Sequence, residues 1–331
     1  MSNEVVQLGL KRVLVLSTEF QADLAEEVSA ALGDLSVGVY AKAEMHVPLE
    51  SAQAAQEFAT KAGADGCIAV GGGSTTGLGK AIALEYGTPI IALPTTYAGS
   101  EMTPIWGLTA DGVKKTGRDA KVLPRSVIYD PELTVSLPVG MSVTSGFNAI
   151  AHAVEALYAP DASPIVSLMA EEGIRALVQA LPKIVQDPTN LEHRSEALYG
   201  AWLCGATLGA TTMSLHHKLC HTLGGTFNLP HAETHTVVLP YALAYNAAGA
   251  PEAVAAIARA TGADDPSDFL RQLSLQLGAP SSLRELGLTD QDIEIATEIA
   301  TRNPYANPRE VTPEGIRGLL RAALNGDAPH A

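Results

Sequence analysis

The sequence has 331 residues, of which 47% are hydrophobic and 17% charged, and this composition supports a buried core and excludes an intrinsically disordered chain. At roughly 150 residues per domain, the length predicts two domains. A balance of 21 basic and 36 acidic residues gives a net charge of −15, so we expect neither nucleic acid nor an anionic membrane as a partner. An anionic substrate would need a local basic site.

Cysteine usage, the first ten residues and one long uncharged stretch indicate the compartment of the protein. Three cysteines at wide spacing, without a C-x-x-C pair, are typical of reduced thiols in a cytoplasmic protein. The first ten residues contain Glu4 and lack the apolar core of a secretory signal. The uncharged stretch 198–215 is long enough to cross a bilayer, but its hydroxyl and glycine content favours a buried helix over a membrane span.

The first half of the chain alternates short apolar runs with amphipathic segments. Strands are predicted at 12–16, 37–40, 66–70 and 89–93, and helices at 23–32, 52–62 and 76–86. Continuous branched apolar residues, as in RVLVL at 12–16, are typical of strands buried on both faces of a parallel sheet. We therefore predict a doubly wound, dinucleotide-binding α/β domain, with its ligand beyond the carboxyl ends of the strands.

The second half has a different pattern. Strand signals fade after about residue 142, and helical periodicity predicts helices at 147–158, 164–181, 191–215 and 251–260. Pro138 and Gly140 mark the change. The predicted organisation is an α/β domain over 1–140 followed by an all-α domain over 141–331.

Two loops at the predicted sheet edge could hold a cofactor. The sequence GGGSTT at 71–76 follows a strand and opens a helix, so the amides of Gly72, Gly73 and Ser74 would converge on a phosphate at a helix N-terminus. The next strand is followed by PTTYAGSE at 94–101, which contributes Thr95, Thr96 and Ser100. The alternatives for these loops are a plain tight turn and a hydroxyl-capped loop.

The end of the first strand bears on cofactor preference. Dinucleotide sites usually place an acidic residue there against the ribose hydroxyls, whereas this chain has Thr18. Without that acid, a 2′-phosphate is repelled less strongly. We therefore expect NADH to bind and NADPH to be tolerated.

Five of the nine histidines lie between positions 216 and 235. His217 and His221 are four residues apart on a predicted helix, as are Asn148 and His152 on an earlier one, and this spacing puts each pair on one helix face. Such histidines suit either a divalent metal or proton donation and carboxylate binding. The neutral amide of Asn148 is a poor metal ligand and favours the second interpretation. The other histidines, His46, His193, His216 and His330, are expected to be ordinary structural or surface residues.

Four segments carry a resemblance to a known family: GGGSTTGLGK, PTTYAGSEMTP, FNAIAHAVEALY and HHKLCHTLGGTFNLPHAETH. Together they resemble the iron-containing alcohol dehydrogenase family, most closely its branch of maleylacetate reductases, over nearly the whole chain. The resemblance implies a dinucleotide-binding domain, a helical domain and an active site in the cleft between them. It also implies NAD(P)H-dependent reduction of the maleylacetate double bond to 3-oxoadipate during aromatic degradation.

By position, the resemblance implies that Asn148, His152, His217 and His231 occupy the family's metal-ligand places and that His221 is a further active-site histidine. Asn148 stands in place of the family's usual aspartate, and this replacement is typical of the reductase branch. We therefore expect no metal. The four histidines are the candidates for enolate stabilisation and protonation.

Further candidates would contact the substrate or the cofactor. Arg118 and Lys121 are candidate contacts for carboxylate or phosphate, unless they lie on a solvated surface loop, and Tyr97 and His235 are candidate substrate contacts. The expected partners are a small dicarboxylate substrate and a second copy of the chain in a homodimer.

Two other functions fit parts of the pattern. A metal-dependent alcohol or polyol dehydrogenase would share the scaffold, and Asn148 argues against it. A nucleotide sensor would keep the glycine loop without catalytic side chains, and the retained histidines argue against that.

Overall fold

A computed structural model of the chain describes residues 1–110 and 113–330. The chain folds into two compact units, Met1–Ser136 and Leu137–Ala331. The sequence pattern put the change near residue 140.

Unit 1 is built around a five-stranded parallel sheet. Its strands, in the order β2-β1-β3-β4-β7, are β1 (Val13–Leu16), β2 (Ser36–Tyr40), β3 (Gly66–Gly71), β4 (Ile90–Pro94) and β7 (Ser126–Val127). The four residues of β1 are all buried because branched apolar side chains on both faces of the strand pack against helices.

Helices cover both faces of this sheet. The helices of unit 1 are α1 (Ser2–Gln7), α2 (Ala22–Leu32), α3 (Leu49–Ala62) and α4 (Gly73–Tyr86). Val13 and Val15 pack with α2 on one face, whereas Leu14 and Leu16 pack with α3 and α4 on the other. This alternation is the doubly wound arrangement that the sequence predicts, so that prediction is confirmed.

An antiparallel hairpin was not predicted. It pairs β5 (Ile105–Ala110) with β6 (Val113–Arg118) and lies between β4 and the edge strand β7 in the chain. Its sequence has glycine and threonine among few large apolar residues, so the alternation that identifies a half-buried strand is weak.

Unit 2 is helical throughout its described part, and the predicted all-α class is confirmed. Its helices are α5 (Val139–Leu157), α6 (Pro164–Gln186), α7 (Leu191–Ala210), α8 (Leu215–Phe227), α9 (His231–Asn246), α10 (Pro251–Thr261), α11 (Pro266–Gln276), α12 (Asp292–Thr301) and α13 (Pro313–Asn325). The predicted helix at 191–215 instead ends at Ala210, and α8 begins at Leu215. No helix in the described ranges is both long enough and apolar enough to span a membrane.

Candidate active site

The loops after β1, β3 and β4 meet at the carboxyl edge of the sheet. The side-chain amide of Gln21 donates to Thr95 Oγ1 at 2.8 Å, and the Thr95 N–H donates to the Gly71 carbonyl at 3.2 Å. A Cβ atom on Gly72 would lie 2.9 Å from Thr96 Oγ1, so any larger residue there would have to displace the Thr96 side chain. The structure therefore brings together the two loops that were predicted to share a cofactor.

The predicted phosphate cradle is the start of α4. Gly72 is the N-cap of this helix, and Gly73 and Ser74 are its first two residues. The first N–H groups of a helix have no acceptor within the helix, and the helix dipole favours an anion there. A Cβ on Gly73 would meet nothing within 4 Å, so the approach to these amides is open.

A buried lysine fixes the loop that contains Ser100. Lys80 on α4 is 1% exposed, and its ammonium donates to the carbonyls of Ser100 at 2.7 Å and Ile105 at 2.8 Å and to Thr103 Oγ1 at 2.8 Å. Burial lowers the pKa of Lys80 to about 7, and nearby Glu101 acts in the opposite direction. This role of Lys80 was not predicted from the sequence.

The remaining candidates of unit 1 are spread over different environments. Thr18 is the N-cap residue of a short 3-10 turn and is partly exposed. Tyr97 is completely buried, so a direct substrate contact through its side chain would require movement. Arg118, at the end of β6, is exposed, and Lys121 lies on the surface with its ammonium 3.7 Å from Asp119. The roles of these four residues stay predictions.

Three helices of unit 2 bring six histidines into one cluster. α5 contributes His152, α8 contributes His216, His217 and His221, and α9 contributes His231 and His235. The ring centroids of His152 and His217 are 5.1 Å apart, and those of His217 and His221 are 6.1 Å apart. The cluster therefore contains all four histidines predicted to be catalytic.

His216 and His235 also belong to this histidine cluster. The His216 ring is 4.9 Å from that of His235, and the His235 ring is 4.3 Å from that of His231. His216 Nε2 lies 3.0 Å from the His235 carbonyl, which can only accept, so this nitrogen carries a hydrogen. His216 is thus an inner member of the cluster, whereas the sequence indicated an ordinary structural histidine.

Burial favours the neutral form of three histidines in the cluster, His152, His216 and His235. Burial, followed by the neighbouring imidazoles, lowers the pKa values of His152 and His235 well below the usual range, and the same causes lower the pKa of His216 to about 4. His235 is completely buried, and its contact with the substrate stays a prediction. His221 is exposed and His231 half-buried, which puts both on the accessible side of the cluster.

A buried carboxylate on α5 contacts the cluster. Glu155 Oε2 accepts from His217 Nδ1 at 2.7 Å and from the Ser214 N–H at 2.9 Å, and Oε1 accepts from the His216 N–H at 2.7 Å. Burial alone would raise the pKa of Glu155, but the hydrogen bond from His217 and the adjacent imidazoles keep it below the usual value. Glu155 was not predicted from the sequence, although its place three residues after His152 puts both on one helix face.

The donor atoms in the cluster fit a divalent metal ion. Asn148 Oδ1, His152 Nδ1 and His217 Nε2 are buried and have no hydrogen-bond partner among the described residues. The candidate ligand nitrogens of His216, His217 and His235 all lie within 4.8 Å of one another. Neutral imidazoles are suitable ligands for Fe²⁺ or Zn²⁺, and a carboxylate behind a ligand imidazole is a common outer-shell partner. The amide of Asn148 adds no negative charge.

A parallel dinucleotide-type sheet in one unit and a helical unit with a metal-type histidine cluster define a two-domain oxidoreductase fold. Residues 1–131 match the family profile described as iron-containing alcohol dehydrogenase, and residues 142–324 match the C-terminal profile of the Fe-containing alcohol dehydrogenase family. The chain belongs to the iron-containing alcohol dehydrogenase family.

Several relatives have names that are more specific. A maleylacetate reductase of Burkholderia cepacia is 58% identical over 98% of this chain and 93% of its own length. The solved maleylacetate reductase from Rhizobium sp. strain MTP-10005 has a TM-score of 0.95 and 53% identity, covering 99% of this chain and 94% of its own. A putative alcohol dehydrogenase from Ralstonia eutropha JMP134 has a TM-score of 0.98 and 61% identity, covering 99% and 93%.

A more distant relative was solved with a nicotinamide cofactor. Sulfoacetaldehyde reductase from Bifidobacterium kashiwanohense, in complex with NAD⁺, has a TM-score of 0.89 and 25% identity over 99% of this chain and 94% of its own. The expectation of a metal-free site is not supported, because the family is described as iron-containing and the histidine cluster offers suitable nitrogen ligands.

Proposed function

We propose that this chain is a maleylacetate reductase, which uses NADH to reduce the carbon–carbon double bond of maleylacetate and forms 3-oxoadipate. The observation that carries the proposal is the histidine cluster on α5, α8 and α9, with the neutral Asn148 at the place of a charged ligand. The names of the relatives that are 58% and 53% identical support the same substrate.

The cofactor site of the proposal is the carboxyl edge of the unit 1 sheet. Bound NADH supplies the hydride, and NADPH is accepted because Thr18 stands where an acid would repel its 2′-phosphate. The amides of Gly72, Gly73 and Ser74 would hold the pyrophosphate, and Thr95, Thr96 and Ser100 in the next loop would contribute to the same site. The open space at Gly73 supports this assignment.

The histidine cluster would handle the charge and the proton that the reduction requires. Hydride addition to the alkene carbon β to the ketone leaves an enolate, and a proton must then reach the adjacent carbon. His152 has a buried ring nitrogen without a hydrogen-bond partner among the described residues, and an N–H group there would stabilise the enolate oxygen. The unpartnered ring nitrogen of His217 suits accepting a proton or holding an ion. His221 and His231 are more accessible and suit proton delivery from solvent.

A divalent ion, if bound, would be held by Asn148, His152, His217 and His231 and would supply Lewis-acid polarisation of the ketone. The carboxylates of the substrate would need cations outside the neutral inner cluster. Arg118, in unit 1, is an exposed candidate for one of them.

Two further parts of the proposal concern the setting of the enzyme. The three cysteines are buried free thiols, which fits a cytoplasmic location. A homodimer is proposed on the family resemblance alone, and sedimentation velocity would test it.

The test is steady-state oxidation of NADH and NADPH with maleylacetate, compared with reduction of NAD⁺ by simple alcohols. His221→Ala and His217→Ala should each lower kcat by about 100-fold or more, as expected for loss of an acid–base group. Near-normal turnover by a folded variant would remove that histidine from the mechanism. Dialysis against a chelator, with elemental analysis and re-addition of Fe²⁺ or Zn²⁺, decides whether turnover needs a metal.

The second candidate is a metal-dependent alcohol or polyol dehydrogenase. The family description and the similarity to a structure named putative alcohol dehydrogenase favour it. Turnover of alcohols that exceeds turnover of maleylacetate, and that depends on added metal, would establish it instead.

A further inference from the structure

Glu155 has hydrogen-bond donors around both of its carboxyl oxygens. Oε2 lies 2.7 Å from His217 Nδ1, 2.9 Å from the Ser214 N–H and 3.4 Å from the His217 N–H. Oε1 lies 2.7 Å from the His216 N–H and 3.5 Å from the Tyr158 hydroxyl. Backbone N–H groups can only donate, so each oxygen must accept at least one hydrogen bond. An ionised carboxylate, which only accepts, satisfies this arrangement completely.

The state of Glu155 determines the hydrogen position on His217. Because the carboxylate has no hydrogen to donate, the 2.7 Å contact requires the hydrogen on His217 Nδ1. Nε2, the other nitrogen of this ring, is buried without a partner among the described residues. The adjacent His216 must have the opposite tautomer, because its Nε2 donates to the His235 carbonyl at 3.0 Å.

The same carboxylate holds the backbone at the start of α8. It accepts from the N–H groups of Ser214, His216 and His217, which are among the orphan donors of a helix N-terminus. Glu155 therefore fixes both the position of the first turn of α8 and the ring nitrogen of His217 that is available.

We infer that Glu155 is a positioning residue that locks His217 in the Nδ1–H tautomer and presents Nε2 of this ring to the cluster. The assignment is the same whether Nε2 accepts a proton or binds a divalent ion, since both need the lone pair at that atom. The tautomer follows from the hydrogen bonds alone, and only its consequence for turnover rests on the proposed function.

The direct test is nitrogen NMR of the chelator-treated protein labelled with ¹⁵N-histidine, with the two signals assigned by His216→Gln and His217→Gln. Wild-type protein should show a protonated-type Nδ1 and an unprotonated-type Nε2 for His217, and the reverse for His216. The two neighbours thereby serve as internal references for each other. A protonated Nε2 with an unprotonated Nδ1 on His217 would overturn the inference.

Variants then test the role of the carboxylate. Glu155→Gln must turn an amide N–H toward one of the donors, and it should release the His217 tautomer and lower kcat by roughly 10- to 100-fold with little change in the Kd of NADH. Glu155→Asp keeps the acceptor-only group and should restore the wild-type tautomer at least in part. Wild-type His217 signals and wild-type kcat in Glu155→Gln would contradict the inference.

The matched control removes a second carboxylate that accepts hydrogen bonds from the segment just before α8. Asp161 accepts from the N–H and hydroxyl of Thr212, at 2.9 and 2.8 Å. Asp161→Asn should lower thermal stability and leave both His217 signals and kcat unchanged. If Asp161→Asn shifts the His217 signals as much as Glu155→Gln does, loss of backbone support explains the result and the inference fails. If Glu155→Gln does not fold, the wild-type spectrum and Glu155→Asp still decide the tautomer, even if maleylacetate is not turned over.

Discussion

The buried imidazole of His216 makes unit 2 sensitive to acid, and replacing it with glutamine should reduce this sensitivity. Burial lowers the pKa of His216 to about 4 in the folded protein, whereas an unfolded histidine has a pKa of about 6.5. Below pH ~6.5 the unfolded chain therefore binds a proton that the folded chain does not. The free energy of unfolding must decrease as the pH falls through this range.

The magnitude follows from the width of that range. The slope is at most about 1.4 kcal/mol per pH unit, and it is smaller near either pKa value, so between pH ~6.5 and ~4.5 the loss from His216 alone is about 2 kcal/mol. Glu155 contributes to the acid dependence in a different pH range. Its pKa is lowered in the folded protein, so its contribution to the free energy of unfolding is present above pH ~4.5 and is lost only as the pH falls below that value. The chosen range therefore excludes that carboxylate.

The assay uses the distribution of tryptophan. The chain has two, Trp106 in unit 1 and Trp202 in unit 2, so Trp106→Phe leaves a fluorescence signal from unit 2 alone. Urea unfolding of this chelator-treated protein, with and without His216→Gln, gives the free energy of unfolding at each pH. His216→Gln should be less stable at neutral pH but should lose about 2 kcal/mol less on acidification.

His330→Gln is the control, because His330 is a solvent-accessible histidine near the C-terminus. It should keep the acid dependence of the parent protein. An acid dependence of His216→Gln equal to that of the parent would refute the assignment of His216 as a buried neutral histidine.

Three further predictions concern the loops and the metal. Gly72→Ala would put a Cβ 2.9 Å from the Thr96 side chain, and it should raise the Kd of NADH by about tenfold or more in a fluorescence titration. Gly140→Ala is the control, because a Cβ there meets nothing within 4 Å, and it should leave this Kd unchanged. Asn148→Asp should raise the affinity for Zn²⁺ by about tenfold or more in calorimetric titration, because it adds a negative charge to the site. Equal affinities would contradict the interpretation that the neutral amide of Asn148 weakens metal binding. Lys80→Met should destabilise unit 1 by about 3 kcal/mol in urea unfolding, because three oxygens around a buried ammonium lose a charged donor. An unchanged midpoint would show that the lysine is dispensable.

Most of the fold could be predicted from the sequence, because burial on both faces of a parallel strand leaves a direct pattern. Val13–Leu16 and Ile90–Pro94 are continuous apolar runs, and the structure has them as β1 and β4. The break between α7 and α8 leaves no such pattern. Thr212 and Ser214, between the two helices, donate hydrogen bonds to Asp161 and Glu155, which are more than 50 residues away in the sequence. The local hydropathy pattern cannot show contacts of this kind.

The candidate site was predictable to a similar degree. Spacing four residues apart identified His217 with His221, since helical geometry alone places such pairs together. The convergence of α5, α8 and α9 depends on tertiary packing, which also makes His216 an inner member of the cluster. Glu155 was overlooked for a different reason: a single acid in an alanine-rich helix resembles a solvent-exposed residue until the buried N–H groups facing it are known.

Position 155 has an implication for protein engineering. The Glu155 side chain accepts hydrogen bonds from the first turn of α8 and from the His217 ring on the same helix. A substitution there would therefore lower both the amount of folded protein and the catalytic rate. Selections for abundance and selections for turnover would then reject nearly the same substitutions there. Libraries that aim to change substrate range should therefore keep glutamate at position 155, because both the first turn of α8 and the His217 ring depend on it.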